Sequence, residues 1–270
     1  MTDLRGVVLD MEGVLHIDWE PIPGAPEAVR ALRGAGLELA ILTNTTGKTR
    51  HDMAERLGAM GIEFAPERIV TAAWATAEYL RAVHPGARVH ALVERGVSDD
   101  LQGLDLVDDP AEADVIVLGG PDGGWTYDRL NAVFRALHGG AQLVAMQRNR
   151  WWTTAAGPAL DAGMFVAGLE YAARVEATVI GKPSPEIYRT ACDAMGAVPA
   201  AAMMVGDDLE SDLPPARAIG MQTCLVRTGK GSSFSTDADA DLDLPDLGAL
   251  PEALSRPGRY HERDDASAPR

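Results

Sequence analysis

Cysteine, positive charge and long apolar runs are all scarce in this chain of 270 residues. The two cysteines, Cys192 in a helical pattern and Cys224 in a strand-like run, read as small buried hydrophobes in a reducing compartment, not as a disulfide or a catalytic thiol. With 24 Lys and Arg against 40 Asp and Glu, the net charge of −16 excludes non-specific attraction to nucleic acid or to an anionic membrane surface. No segment approaches about 18 uninterrupted apolar residues, and no long apolar stretch follows Met1–Arg5. Neither a membrane span nor a signal peptide is therefore expected, and the expected compartment is the cytoplasm. There is no internal repeat with a period of roughly 20–50 residues, and there are no heptads. The six histidines show no zinc-ligand spacing, and a GxSxG elbow is absent. Gly47-Lys48-Thr49 mimics the end of a phosphate-binding loop, but Leu42 stands where the first glycine is needed. Gly181-Lys182 fails likewise, with Glu176 at that position and Pro183 in place of Ser or Thr.

What is present is alternation. Apolar runs of four to seven residues alternate with amphipathic segments, the pattern of parallel α/β construction. Strands are predicted at Gly6–Leu9, Leu37–Leu42, Arg88–Val93, Asp114–Leu118, Gln142–Ala145, Ala177–Ile180, Ala201–Val205 and Met221–Val226. Met53, Leu57 and Met60 share one helical face, as do Tyr127, Leu130, Val133, Phe134 and Leu137. Gly34, Gly36 and Gly58 read as helix stops, and Ser184-Pro185 as a cap followed by the first helical residue. Gly119 to Gly124 reads as a mobile turn. Residues 258–270 are polar and patternless and read as a disordered tail.

Four places carry chemistry, each at or just past the end of a predicted strand, where open parallel sheets bind ligands. Asp10 ends the first strand, with Glu12 two residues on and Gly13 behind it. Such a pair suits a nucleophile or metal ligand with a proton donor, and alone it is also what a solvated acidic turn looks like. Thr43-Asn44 ends the second strand and offers neutral donors to phosphate oxygens, or simply a capped loop. Lys182, between Gly181 and Pro183, is placed to neutralise a phosphate or hold a carboxylate ionised; a solvated loop lysine is the plain alternative. Asp207, Asp208 and Asp212 form a hard-oxygen cluster suited to Mg²⁺, or an acidic helix N-terminus favoured by the helix dipole.

In this order and spacing the four resemble the ordered motifs of the haloacid dehalogenase superfamily, along almost the whole chain from about residue 5 to 250. More than 130 residues separate Asn44 from Lys182, and they carry a strand–helix alternation of their own. That insert resembles the α/β cap of the type IIA subfamily. The resemblance implies a doubly wound parallel-sheet core at 1–71 and 178–257, with an inserted α/β cap at 72–177. It implies Asp10 as the phosphorylated nucleophile and a Mg²⁺ ligand, the main-chain carbonyl of residue 12 and Asp207 as further ligands, and Asp208 and Asp212 as orienting acids. Thr43, Asn44 and Lys182 would hold the phosphoryl group. Glu12 departs from the aspartate usual for the family's acid–base residue, which opens the alternative of a low-turnover phosphate-binding or regulatory protein. Arg148, Arg150, Trp151 and Trp152, expected in a cap loop, are candidates for substrate choice, or else for packing between caps. The expected function is Mg²⁺-dependent hydrolysis of a small phosphorylated substrate, and the resemblance makes a homodimer through the cap an expectation as well.

Overall fold

The computed structural model describes residues 4–94, 97, 100–120, 124–154, 157–234 and 239–255, with the backbone alone for 152–154, 157 and 158. The expected tail and the centre of the glycine-rich turn, 121–123, lie outside the described residues. The chain forms two compact units, Met1–Leu39 with Ala197–Arg270, and Ala40–Gly196.

In the first unit four parallel strands lie in the order Leu242–Leu244, Gln222–Val226, Ala202–Gly206 and Gly6–Asp10. The last two run in register from Gly6 opposite Ala202 to Leu9 opposite Val205. Their continuous apolar runs are buried at every position, as in a parallel sheet covered on both faces. The helix Ala25–Gly34 turns Ala28, Val29 and Leu32 inward, and Gly36 (φ +82°) follows its end.

In the second unit five parallel strands lie in the order Thr178–Val179, Gln142–Ala145, Val115–Leu118, Arg88–Leu92 and Asp105–Leu106. Val133 and Leu137 from the helix Tyr127–His138, and Val166 and Leu169 from the helix Ala162–Ala173, pack on Leu92, Ile116, Leu118 and Leu143. The strand Glu38–Thr43 begins in the first unit and ends in the second. There it pairs in parallel with Ile69–Thr71, near the helices Arg50–Ala59, Ala72–Val83 and Pro185–Met195. Thr49 and Asp52 close a reciprocal capping box at the start of the first of these helices.

The expected α/β construction is therefore present, with local corrections. Tyr127 sits in the first turn of its helix and is 80% exposed instead of joining the buried face. Gly58 lies within the last turn of a helix that runs to Ala59, and Gly61 (φ +77°) follows. The expected loop at Trp151 is a strand. Trp151–Thr154 pairs antiparallel with Gly157–Leu160, as suits residues that are all aromatic or β-branched.

Candidate active site

Within the first unit, adjacent parallel strands deliver Asp10 and Asp207 to the same end of the sheet, where both are buried. Asp212 is fully buried, and one carboxylate oxygen from each of Asp10, Asp207 and Asp212 lies within 4.8 Å of the others. The turn after Asp10 closes tightly on this group. Gly13 takes φ +84°, and a Cβ there would meet Asp207 Oδ2 at 2.2 Å, so no side chain fits. Asp212 Oδ2 accepts the Asp208 N–H at 3.1 Å.

Asp208 is turned to other partners. Its carboxylate accepts the Lys230 ammonium at 2.6 Å and the N–H groups of Glu210 and Ser211 at 2.8 and 3.2 Å. Burial raises its carboxyl, but these donors outweigh burial and bring it down to about 2.

Glu12 is engaged as well. Its Oε1 accepts the Asp18 N–H at 2.9 Å, and Oε2 lies 3.0 Å from His16 Nδ1. His16 is buried and stacks on Trp19 with ring centroids 4.6 Å apart. Burial would lift the Glu12 carboxyl, yet the His16 hydrogen bond, the Asp18 N–H and the His16 charge leave it lowered.

Within the second unit, Thr43 and Lys182 are buried. The Thr43 hydroxyl lies 2.9 Å from the Thr45 hydroxyl and accepts the Thr45 N–H at 3.2 Å. Asn44 uses its amide on the main chain of Lys182. Oδ1 accepts the lysine N–H at 2.7 Å, and Nδ2 donates to its carbonyl at 2.9 Å. Asn44 and Lys182, 138 residues apart in sequence, are thus joined at two points.

In the cap segment, Arg148 pairs with Glu170 at 2.6 Å, Arg150 is exposed, and Trp151 is 55% exposed. The side chain of Trp152 lies outside the described residues. Beneath them, the buried Gln147 amide donates to Asp161 at 2.5 Å and braces the hairpin base. Two residues beside the carboxylates escaped the sequence reading, Thr228 and Lys230. Their one signal was position, since they follow a buried strand as the other motifs do.

Comparison with known proteins accords with this geometry. Residues 7–107 match a family described as haloacid dehalogenase-like hydrolase, and 179–249 match a HAD-hydrolase-like family. The chain is 36% identical over 227 residues to haloacid dehalogenase-like hydrolase domain-containing protein 2 of Homo sapiens, covering 84% of this chain and 85% of that protein. It is 34% identical over 263 residues to phospholysine phosphohistidine inorganic pyrophosphate phosphatase of Danio rerio, covering 94% and 95%. Its structure superposes on p-nitrophenyl phosphatase from Archaeoglobus fulgidus with a TM-score of 0.87 at 28% identity, over 93% of this chain and all of that one.

Proposed function

Because this chain belongs to the haloacid dehalogenase-like hydrolases, we propose that it is a Mg²⁺-dependent phosphatase of small phosphorylated molecules, with Asp10 as nucleophile. One observation carries the reading: three buried carboxylates, Asp10, Asp207 and Asp212, converge at the ends of adjacent strands. Three like charges so close and so buried repel unless a cation or protons compensate them. Hard oxygen donors suit Mg²⁺, and the Gly13 turn leaves no space for a side chain beside Asp207. The residues therefore fit the ion. Asp10, Asp207 and the main-chain carbonyl of Glu12 would hold it, with Asp212 beside them, and it would supply charge stabilisation to the phosphoryl group.

In this reading the Asp10 carboxylate attacks phosphorus as the leaving oxygen or nitrogen departs, giving an aspartyl-phosphate that water then hydrolyses. The Thr43 hydroxyl and the second N–H of the Asn44 amide hold the phosphoryl oxygens. The Lys182 ammonium offsets charge between nucleophile and phosphate. Asp208 and Asp212 orient the metal's surroundings. Most of the rate enhancement is then positioning and charge stabilisation. The relatives' names widen the proposed substrates from phosphoesters to pyrophosphate and phosphoramidates.

The cap hairpin, with Arg148, Arg150, Trp151 and Trp152, selects the substrate in this proposal. A homodimer through the cap accords with the exposed Tyr127, Leu160, Met164 and Tyr171 of that segment. Nucleic acid and membrane are not proposed as partners; among the described residues no helix is long and apolar enough to cross a membrane. The cytoplasm is the proposed compartment, in keeping with two buried free thiols. A second reading, a low-turnover phosphate-binding or regulatory protein, draws on Glu12, whose two carboxylate oxygens are both engaged by the short hairpin that pairs His16–Ile17 with Glu20–Pro21.

The deciding experiment is an assay of Mg²⁺-dependent phosphate release from an aryl phosphate by wild type and Asp10→Asn, with melting curves in Mg²⁺ and BeF₃⁻. Turnover abolished by Asp10→Asn, and a higher Tm with BeF₃⁻ in wild type alone, are expected. Folded wild type that BeF₃⁻ fails to stabilise would sink the aspartyl nucleophile. Negligible turnover with normal stabilisation selects the second reading.

A further inference from the structure

The turn at 227–231 follows the strand Gln222–Val226 and has no part in the proposed reaction, yet its contacts reach Asp207, Asp208 and the Gly13 main chain. The Lys230 main-chain N–H donates to Asp207 Oδ2 at 2.7 Å. The Thr228 hydroxyl donates to the Gly13 carbonyl, 215 residues away in sequence. Between them Gly229 takes φ +51°. A Cβ there would come within 2.2 Å of Asp207 Oδ2 and 2.8 Å of Gly13 Cα. Gly13 crowds the same oxygen equally closely. Asp207 is thus clamped between two side-chain-free positions, with an N–H bound to one of its oxygens.

The turn itself is anchored. Arg227 pairs with Asp243 through Nε at 2.7 Å and donates to the carbonyls of Gly231 and Phe234 at 3.3 and 2.9 Å. The Lys230 side chain, for its part, holds Asp208 through its ammonium. One short turn therefore binds both neighbouring aspartates by different groups, main chain for Asp207 and side chain for Asp208.

We propose that Thr228-Gly229-Lys230 is a positioning element for the metal-binding carboxylates: it fixes the orientation of Asp207 and locks the Asp10–Gly13 turn against it. The inference rests on the magnesium reading. A carboxylate among like charges rotates away from them unless something restrains it. An N–H bond and two glycine walls supply that restraint before the cation arrives, so binding does not have to order the ligand. Loosening such supporting contacts typically weakens metal affinity about 10- to 100-fold.

The test is calorimetric titration of the full-length protein with Mg²⁺ alone, free of any activity readout. Thr228→Val is nearly isosteric and removes the hydroxyl bound to Gly13; it is expected to weaken Mg²⁺ binding by about 10-fold or more. Thr228→Ser keeps the hydroxyl and should restore affinity to within about 3-fold of wild type. Gly229→Ala should weaken binding at least as far, by driving a Cβ into Asp207. Thr228→Val binding Mg²⁺ as tightly as wild type would overturn the proposal, and so would equal losses in Thr228→Val and Thr228→Ser. Asp207→Asn separates the two levels. If it binds Mg²⁺ normally, the metal reading itself fails; if it loses binding while Thr228→Val does not, the turn alone loses its role.

Discussion

The side-chain amide of Asn44 holds both main-chain polar groups of Lys182, accepting its N–H at 2.7 Å and donating to its carbonyl at 2.9 Å. This two-point tether fixes where the buried ammonium starts from. Asn44→Ala removes both bonds, each worth about 1 kcal/mol net, and lets the 181–183 segment drift. Lys182→Ala is expected to cost at least about 100-fold in kcat/KM, roughly 2.7 kcal/mol of barrier. Asn44→Ala should lose much of the same activity through the displaced lysine. In the Lys182→Ala background, Asn44→Ala should then cost less than it does in wild type, leaving only the loss of the amide's own contact with phosphate. Additive losses in that cycle would show that Asn44 does not work through Lys182.

That tether was invisible in the sequence, where Thr43-Asn44 read as neutral donors at a strand end or as a capped loop. What could be read were strands such as Val7–Leu9 and Met203–Val205. A strand buried on both faces must be apolar throughout, and the polar residue that interrupts it marks its end. Asp10 and Asp207 were legible for that reason. Contacts set by tertiary neighbours were not: Thr228 on Gly13, Lys230 on Asp208. The hairpin Trp151–Thr154 with Gly157–Leu160 was missed because its strands lack alternation and one of them contains a glycine and a proline.

Cys192 and Cys224 are both buried. Burial, reinforced by the charge of Asp193, pushes the Cys192 thiol up to about 11; burial and Asp243 push Cys224 higher still. At pH 8 a thiol titrating near 11 is ionised in on the order of one molecule in a thousand. Ellman's reagent should therefore find no thiol in the native protein and two after denaturation. The folded thiols titrate above their unfolded value of about 8.5, so their contribution to stability is complete below that pH and is lost as pH rises toward the folded values. Denaturant midpoints should then fall more steeply between about pH 8.5 and 11 in wild type than in Cys192→Ala. Rapid native labelling at pH 8 would contradict this placement.

Trp151 is 55% exposed on a hairpin whose base is braced by Gln147 and Asp161. An aromatic ring presented beside Arg150 suits a planar or anionic part of a substrate. Trp151→Ala and Arg150→Ala should change relative kcat/KM values across a phosphate panel by about 10-fold while leaving the Tm nearly unchanged. Unaltered relative rates, with a shift in oligomeric state by light scattering, would assign the hairpin to packing between subunits.

In the proposed reaction, the state of Glu12 bears on which leaving groups would be served. A general acid must be protonated at the working pH and free to reach the leaving atom. Glu12 meets neither condition well. Both of its oxygens are held by the hairpin that follows, Oε1 by the Asp18 N–H at 2.9 Å and Oε2 at 3.0 Å from His16 Nδ1. Burial, working alone, would favour the protonated carboxyl, but those contacts prevail and lower it, so the protonated form is depleted at neutral pH. Glutamate also carries one methylene more than the aspartate usual at this position, displacing its carboxyl by on the order of 1 Å, a misplacement that can cost about 100-fold. Aryl phosphates and pyrophosphate, whose leaving groups depart as stable anions, and phosphoramidates already protonated on nitrogen by solvent, should accordingly turn over far better than alkyl phosphates. Glu12→Gln keeps an acceptor for the Asp18 N–H and should hold aryl phosphate rates within about 3-fold of wild type, with alkyl rates equally little changed. Glu12→Asp draws the carboxyl back from His16 and should gain selectively on the alkyl ester. A loss of about 100-fold in Glu12→Gln confined to the alkyl substrate would instead make Glu12 the proton donor, acting from a conformation that has left His16.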